Sequence, residues 1–413
     1  MTSHGETIVI IGAGHAGGRA AEAMRAAGFA GRLVLLGAES HLPYERPPLS
    51  KELLAGTMEV EKTTLNPDDF YEAQDIELHL GHVAEEIEPN LHRVRLSDDT
   101  DLAYDKLLIA TGGRVRKLTC EGADLKGIHY VRDLNDTLGL RPELRDGARI
   151  CVIGGGFIGL EVAATARKRG CHVTVVELAD HVLARVADPS VGALVADMHR
   201  AEGVHVITGA SVERLEGDGR VAELICTDGE TIEVDVVVAG IGILPNMEIA
   251  AEAGIECAPK GTQGGIKVDE FGRTSIDGIY AAGDVAFHYN PILGRHLRLE
   301  SWANAQNGGI AVARNMVTEP VPYAEVPWFW SDQFDLNLQV AGAPEFWDRL
   351  VVRGDPAAGK GIVFYMEAAH VVGATAFNLG RDMRFCKQLI ESARDVADAD
   401  LADEGKRLRD VIG

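Results

Sequence analysis

Thr7–Gly18 reads TIVIIGAGHAGG, and the same pattern returns at Arg149–Glu177 as RICVIGGGFIGLEVAATARKRGCHVTVVE. In the first copy an apolar run meets a glycine turn, the alanine-rich RAAEAMRAAG follows, and GRLVLLG closes the unit. Strand, turn, helix and strand make one βαβ unit. Gly12, Gly14 and Gly17 form G-x-G-x-x-G at the strand-to-helix turn, where the spacing has physical meaning. The first glycine makes the turn, the second lets backbone approach a pyrophosphate, and the third lets helix and strand pack closely. The helix N-terminus adds partial positive charge and free N–H groups for the anion. Gly154, Gly156 and Gly159 take the same places in the second copy. An acid follows each unit's second strand, Glu39 in the first and Glu177 in the second, placed for a ribose hydroxyl pair. A single such spacing is weak, because glycine turns also arise for packing alone. Two of them, each between a strand and a helix and each followed by an acid, point to two dinucleotides, with FAD and a nicotinamide cofactor the natural pair.

Working outward, YDKLLIATGG (Tyr104–Gly113) and VDVVVAGIGILPN (Val234–Asn246) are apolar strands running into glycine turns that hold Thr111, Gly112 and Gly242. Alone, either reads equally as a buried strand before a loop. TSIDGIYAAGDV (Thr274–Val285) ends in Gly283–Asp284, an acid at a strand end that suits hydrogen bonds from a polyol chain; a helix N-cap is the bland alternative. From about Val326 the composition changes. VPWFWSDQFDLNLQVAG and GIVFYMEAAHVVGATAFN predict an antiparallel sheet, and RDMRFCKQLIESARD an amphipathic helix after it. The fold class is therefore α/β, with two Rossmann-like dinucleotide-binding domains and a C-terminal α+β domain.

The chain's 413 residues suit two to four domains, and three are expected. With 46% apolar and 25% charged residues the composition is that of a globular protein. Its formal charge of -23 disfavours nucleic acid or an anionic membrane as partner, and serves solubility first. No basic, apolar and small-residue leader pattern precedes the Thr7 strand, and no run approaches the roughly 18 apolar residues that cross a bilayer, so a cytoplasmic protein is expected. The six cysteines (Cys120, Cys151, Cys171, Cys226, Cys257 and Cys386) show neither a C-x-x-C pair nor metal-ligand spacing; buried thiols and no metal are the expectation. A paired-thiol relay from flavin is thereby excluded.

PYERPPLSK (Pro43–Lys51), ESWANAQNGGIAVARNM (Glu300–Met316) and PWFWSDQ (Pro327–Gln333) complete a succession that resembles the NADH-dependent ferredoxin reductases of bacterial oxygenase systems. These are reductases of the putidaredoxin reductase and aromatic-ring dioxygenase type. The resemblance implies a glutathione-reductase-like layout: a discontinuous FAD domain at 1–115 and 246–325, an NADH domain at 116–245, and a C-terminal domain at 326–413. It further implies Arg46 and Lys51 over the flavin, Val83 touching adenine by its backbone, and Arg132 reaching the cofactor. Asp284 would bind the ribityl chain, Trp302 would lie close to the isoalloxazine, and Trp330 would reach it from the C-terminal domain. Lys51 would pair with Glu161 beside the nitrogen that receives hydride, against the alternative of plain surface ion pairs. The family often carries acids at both positions after Gly37, where this chain has Ala38 and then Glu39, so Glu39 serves the adenosine ribose alone or the contact is lost.

The function implied by the resemblance is electron transfer from NADH through FAD to a [2Fe-2S] ferredoxin that feeds a cytochrome P450 or a Rieske-type aromatic-ring dioxygenase. Hydride transfer requires no side-chain nucleophile, so positioning and electrostatics are the protein's share. Competing readings on the same scaffold are an NADH oxidase, a rubredoxin or quinone reductase, and a flavoprotein that senses NADH. A local basic patch for an acidic ferredoxin is expected from Arg295, Arg298, Arg381, Arg384 and Lys387.

Overall fold

The computed structural model describes residues 5–412 and divides into two compact units. The first comprises the chain up to Arg46, Val60–Arg114 and Ile243–Pro327; the second comprises Pro47–Glu59, Val115–Gly242 and the chain from Trp328 onward.

The first unit is built on a five-stranded sheet in the order Ile279–Ala281, Lys106–Ile109, Thr7–Ile11, Arg32–Gly37, Ile76–Leu80. All its pairings are parallel, with Thr7 opposite Arg32 and Ile8 opposite Lys106. Strands buried on both faces read as continuous apolar runs, and alternate residues here go to different cores. Ile8, Ile10, Leu33, Leu35 and Leu108 pack with the helices His15–Ala26 and Trp302–Val317. Val9, Ile11, Val34, Leu36, Leu107 and Ile109 pack with Ile87, Val94 and Leu102 of a three-stranded antiparallel sheet. The Thr7 strand is central, and the chain leaves it in one direction to Arg32–Gly37 and returns on its other side at Lys106–Ile109. Such a switch point opens a crevice at the strands' carboxyl ends, where ligands of open α/β sheets bind.

The second unit repeats this construction with the parallel order His205–Thr208, His172–Glu177, Arg149–Ile153, Val236–Ala239, Ile128–His129. A three-stranded antiparallel sheet supplies Leu215, Leu224 and Cys226 to the core with Cys151, Ile153 and Val237. The predicted antiparallel sheet after Val326 is present, in the order Trp328–Gln333, Leu336–Gly342, His370–Phe377, Lys360–Glu367, Arg349–Asp355. Leu336, Leu338, Val363 and Phe377 from it share a core with Ile150, Val152, Val173 and Val175 of the second parallel sheet. The amphipathic helix forms over Met383–Ser392, burying Met383, Cys386, Leu389 and Ile390. The sequence pattern does not announce Arg349–Asp355 as a strand, because Arg353 interrupts its apolar residues. That guanidinium is buried and donates to the backbone carbonyls of Leu401, Asp403 and Lys406.

Candidate dinucleotide and flavin site

In the first unit Gly12 has φ +115°, and a Cβ there would fall on the carbonyl oxygen of Ala110. A Cβ at Gly17 would fall on the carbonyl oxygen of Gly12. These two glycines serve backbone packing. Gly14 is different: a Cβ would meet only the Arg46 guanidinium, 3.8 Å away. The second unit has the same division, with Gly154 at φ +107° against the carbonyl of Gly240, Gly159 against that of Gly154, and nothing within 4 Å of a Cβ at Gly156. Gly14 and Gly156 are also the N-caps of their helices, and neither helix has a side-chain cap. Helices beginning at Leu134, Pro189 and Trp302 are capped by Asp133, Asp188 and Ser301. The two fingerprint helix ends keep N–H groups without side-chain acceptors, as the Met383–Ser392 helix also does, but among the described helices they alone follow a glycine turn with room for a ligand beside it, which suits a pyrophosphate in each unit.

The acids lie differently in the two copies. Glu39 accepts from Tyr44 Oη at 2.6 Å and Arg46 Nη2 at 2.7 Å. Burial opposes its charge, but Arg46 and Tyr44 outweigh burial and hold the carboxyl below its ordinary range. Burial likewise opposes the Arg46 charge, and Tyr44 and Glu39 overcome it. A ribose bound by Glu39 would share oxygens already engaged within the protein. Glu177 accepts from the N–H groups of Gly155 at 2.6 Å and Ala179 at 2.7 Å, which locks its carboxylate to the second fingerprint turn. Arg185 lies with its guanidinium against Gly242, whose φ is +97°.

Gly283–Asp284 follows the Ile279–Ala281 strand in a short 3-10 turn, and a Cβ on Gly283 would press Ala16 on the first fingerprint helix. The N-cap alternative fails, since that turn is preceded by Ala282 and the next long helix is capped by Ser301. The Asp284 charge acts on both His15 and Arg46. Thr111 and Gly112 are tied to Asn246: Thr111 Oγ1 donates to its carbonyl at 2.7 Å, and its N–H donates to the Gly112 carbonyl at 3.0 Å. Val83 exchanges backbone bonds with Ser97, donating to its Oγ at 3.2 Å and accepting from its N–H at 2.9 Å. Arg132 donates its N–H to Asp136, just before the Asp133 capping box.

The second unit also brings together residues from three of the stretches behind the family resemblance. Lys51 Nζ lies 3.5 Å from Glu161 Oε1, the second residue past Gly159 on the fingerprint helix. Ser50 donates to Glu161 Oε2, and Ser331 to Oε1 at 2.7 Å. Glu161 is 3% exposed. Its burial raises the carboxyl above the ordinary range, with Lys51, Ser50 and Ser331 partly offsetting the shift. Trp330 stacks on Trp328 at 5.3 Å, and Phe329 meets Phe157, which directly follows Gly156, edge-on at 4.0 Å. Trp302, in the first unit, lies 5.2 Å from the His15 ring.

Ser50 and Ser331, which bond Glu161, and the His15–Gln306 pair are candidate site residues that sequence reasoning misses. All four sit inside the motifs, but nothing local marks them as partners. Four cysteines are buried as expected; Cys120 and Cys257 are half-buried, and all six are free thiols. Among the expected docking residues Arg298 must be withdrawn. It is buried, with its guanidinium on Glu300 at 2.5 Å and on the carbonyls of Gln263 and Asp284. Arg381 and Arg384 are exposed. No cluster of three metal-ligating side chains occurs among the described residues, and no helix there is long and apolar enough to cross a membrane.

The family model for pyridine nucleotide-disulphide oxidoreductases matches residues 6–309. The chain belongs to that family. A reductase C-terminal model matches residues 328–412 of this pyridine nucleotide-disulphide oxidoreductase. It is 43% identical to the ferredoxin–NAD(+) reductase component of the anthranilate 1,2-dioxygenase system of Burkholderia cepacia, over 96% of this chain and 97% of that protein. It is 38% identical to putidaredoxin reductase of Pseudomonas putida, over 98% and 97%. Its fold matches the reductase in the covalent putidaredoxin reductase–putidaredoxin complex with a TM-score of 0.94 and 37% identity, covering 98% of each chain. The glutathione-reductase-like α/β class with a C-terminal antiparallel sheet agrees with these likenesses.

Proposed function

We propose that this chain is an FAD-dependent NADH:ferredoxin oxidoreductase, passing electrons from NADH to a [2Fe-2S] ferredoxin that feeds an oxygenase. The observation that carries the cofactor reading is the duplicate of helix N-termini without side-chain caps at Gly14 and Gly156, where a Cβ would meet only the Arg46 guanidinium at 3.8 Å in the first and no protein atom within 4 Å in the second. FAD, when bound, supplies the exchange between a two-electron donor and a one-electron acceptor. The acceptor reading rests on the relatives, which are named as reductase components of dioxygenase systems and as putidaredoxin reductase.

In this reading residues 1–115 and 246–325 hold FAD. The turn built by Gly12, Gly14 and Gly17 presents its backbone to the pyrophosphate, Glu39 and the Val83 backbone serve the adenosine half, and Arg46, Thr111, Gly112 and Asp284 position the remainder, with Arg132 of the 116–245 segment reaching the cofactor. Residues 116–245 hold NADH through Gly154, Gly156, Gly159 and Gly242, with Glu177 on the ribose. Trp302 and Trp330 bound the flavin ring. The Lys51–Glu161 pair sets the charge at the hydride-receiving edge: Lys51 donates, while Ser50 and Ser331 keep the Glu161 carboxylate in one orientation. Residues 326–413 carry Arg381 and Arg384 as candidates for the ferredoxin face. The free thiols suit a cytoplasmic location. Anaerobic titration with NADH and then with oxidised two-iron ferredoxin tests the order of events. The flavin band should bleach with about one equivalent of NADH and return as two ferredoxins are reduced. A flavin that bleaches but is reoxidised only by oxygen would transfer the assignment to an NADH oxidase.

A further inference from the structure

We propose that His15 is a flavin-binding residue whose Nδ1 accepts a hydrogen bond from a hydroxyl of the FAD ribityl chain. The inference rests on the FAD reading of the first unit and adds a contact that the fingerprint's glycines do not supply. His15 occupies a variable position of G-x-G-x-x-G, directly after Gly14, and opens the helix His15–Ala26. Its side chain belongs to the buried interior, with the residue only 7% exposed.

The tautomer is set by its neighbours. Gln306 Oε1 accepts from Arg19 Nε at 2.9 Å, and a guanidinium can only donate, so the amide oxygen faces this cluster. His15 Nε2 lies 2.6 Å from the same oxygen and must carry a hydrogen. Burial lowers the imidazole pKa to about 4, the Gln306 bond opposing that shift, so the ring is neutral at physiological pH and has one proton. Nδ1 is then a bare acceptor, buried and without a hydrogen-bond partner among the described residues. A buried unsatisfied acceptor is costly, and native structures rarely keep one.

The missing partner must be a donor. A pyrophosphate offers only acceptors at neutral pH, so it fits the N–H groups at Gly14 and does not fit Nδ1. The ribityl chain is the part of FAD that offers several hydroxyl donors next to the pyrophosphate. The surroundings of the ring agree: Trp302 is 5.2 Å away, and the Asp284 and Arg46 charges act on it. Asp284 closes the strand-end motif read as a polyol acceptor, so two acceptors, a carboxylate and an imidazole, lie along one polyhydroxyl chain.

The test is FAD binding to the deflavinated full chain, read by quenching of flavin fluorescence and by thermal melting. His15→Gln keeps an amide near the Nε2 position toward Gln306 and lacks an acceptor at Nδ1, whereas His15→Asn places its amide oxygen near Nδ1. The glutamine variant should bind FAD about 5- to 150-fold more weakly, and the asparagine variant should recover most of that loss. The unmodified chain should also bind one of 2′-, 3′- or 4′-deoxy-FAD more weakly by a similar factor, and the glutamine variant should not distinguish that analogue from FAD. Because the analogues require no mutation, this arm survives a variant that folds poorly. Wild-type affinity in the glutamine variant, or equal losses for every deoxy analogue in both proteins, would overturn the proposal and assign Nδ1 to a buried water. An unmodified chain that binds no FAD would instead refute the reading beneath it.

Discussion

Replacing Gly156 with alanine separates binding from folding more cleanly than any other change in the second fingerprint. Its φ is -80°, which any residue adopts, and an added Cβ meets no protein atom within 4 Å. Alanine in place of glycine reduces unfolded-state entropy, worth about 0.4–1 kcal/mol of stability, while alanine at an N-cap loses roughly as much against glycine. Net stability should stay within about 1 kcal/mol, a melting shift of a few degrees at most. The methyl group projects toward the space beside the uncapped N–H groups. If it displaces a pyrophosphate from one charge-assisted hydrogen bond, about 1.5–3 kcal/mol of binding is lost, or roughly 10- to 150-fold in affinity. Steady-state NADH kinetics with ferricyanide as acceptor, alongside thermal melting, would show a raised KM in a protein that melts normally. Gly159→Ala is the contrasting variant, since its Cβ would strike the Gly154 carbonyl and disturb the fold itself. An unchanged KM for NADH in Gly156→Ala would refute the claim that this space receives the dinucleotide.

Glu177→Gln keeps one acceptor for the Gly155 or Ala179 N–H but removes the charge, so the KM for NADH should rise about 10-fold or more and the preference over NADPH should narrow; equal use of both cofactors by the unmodified protein would contradict the assignment. Burial lowers His15 and His288 to about 4, so the unfolded chain takes up protons first, near pH 6.5, and their contribution to stability, complete above that pH, is lost as the pH falls toward 4. Chemical denaturation should find roughly 1 kcal/mol lost for each of these two histidines between pH 7.5 and 5.5, with His288→Phe removing its own share of the loss; a flat profile would contradict it. Iodoacetamide should modify Cys120 and Cys257 slowly in the native protein and the four buried cysteines only after unfolding, as mass spectrometry can follow. NADH-driven ferredoxin reduction should survive that modification, and its loss would reinstate a thiol relay.

The glycine fingerprints are legible in the sequence because their demands are local. Gly12 and Gly154 need positive φ, Gly17 and Gly159 need close approach, and each requirement shows in a few consecutive letters. Lys51 and Glu161 are reachable through the family resemblance, but their hydroxyl partners are not. Ser50 and Ser331 stand 111 and 170 positions from the carboxylate they bind. His15 and Gln306 are 291 positions apart, and no period or spacing connects them. Charge patterning misleads at Arg298, where a basic residue beside an expected surface motif is buried against carbonyls and Glu300. It misleads again at Arg353, where a buried guanidinium disguises a strand. Alternation in the C-terminal segment signals a sheet, but it carries nothing about which core Leu336, Leu338 and Phe377 join.

The proposed route takes electrons from NADH and passes them singly to a two-iron ferredoxin, and one experiment tests that order most directly. The NADH-reduced protein is mixed with an oxidised [2Fe-2S] ferredoxin of a bacterial oxygenase system under anaerobic stopped flow. Flavin reoxidation and ferredoxin bleaching should proceed together within the time of a turnover, with two ferredoxins reduced per flavin. A reduced flavin that persists unchanged in the presence of several such ferredoxins, while reacting freely with oxygen or a quinone, would contradict the account.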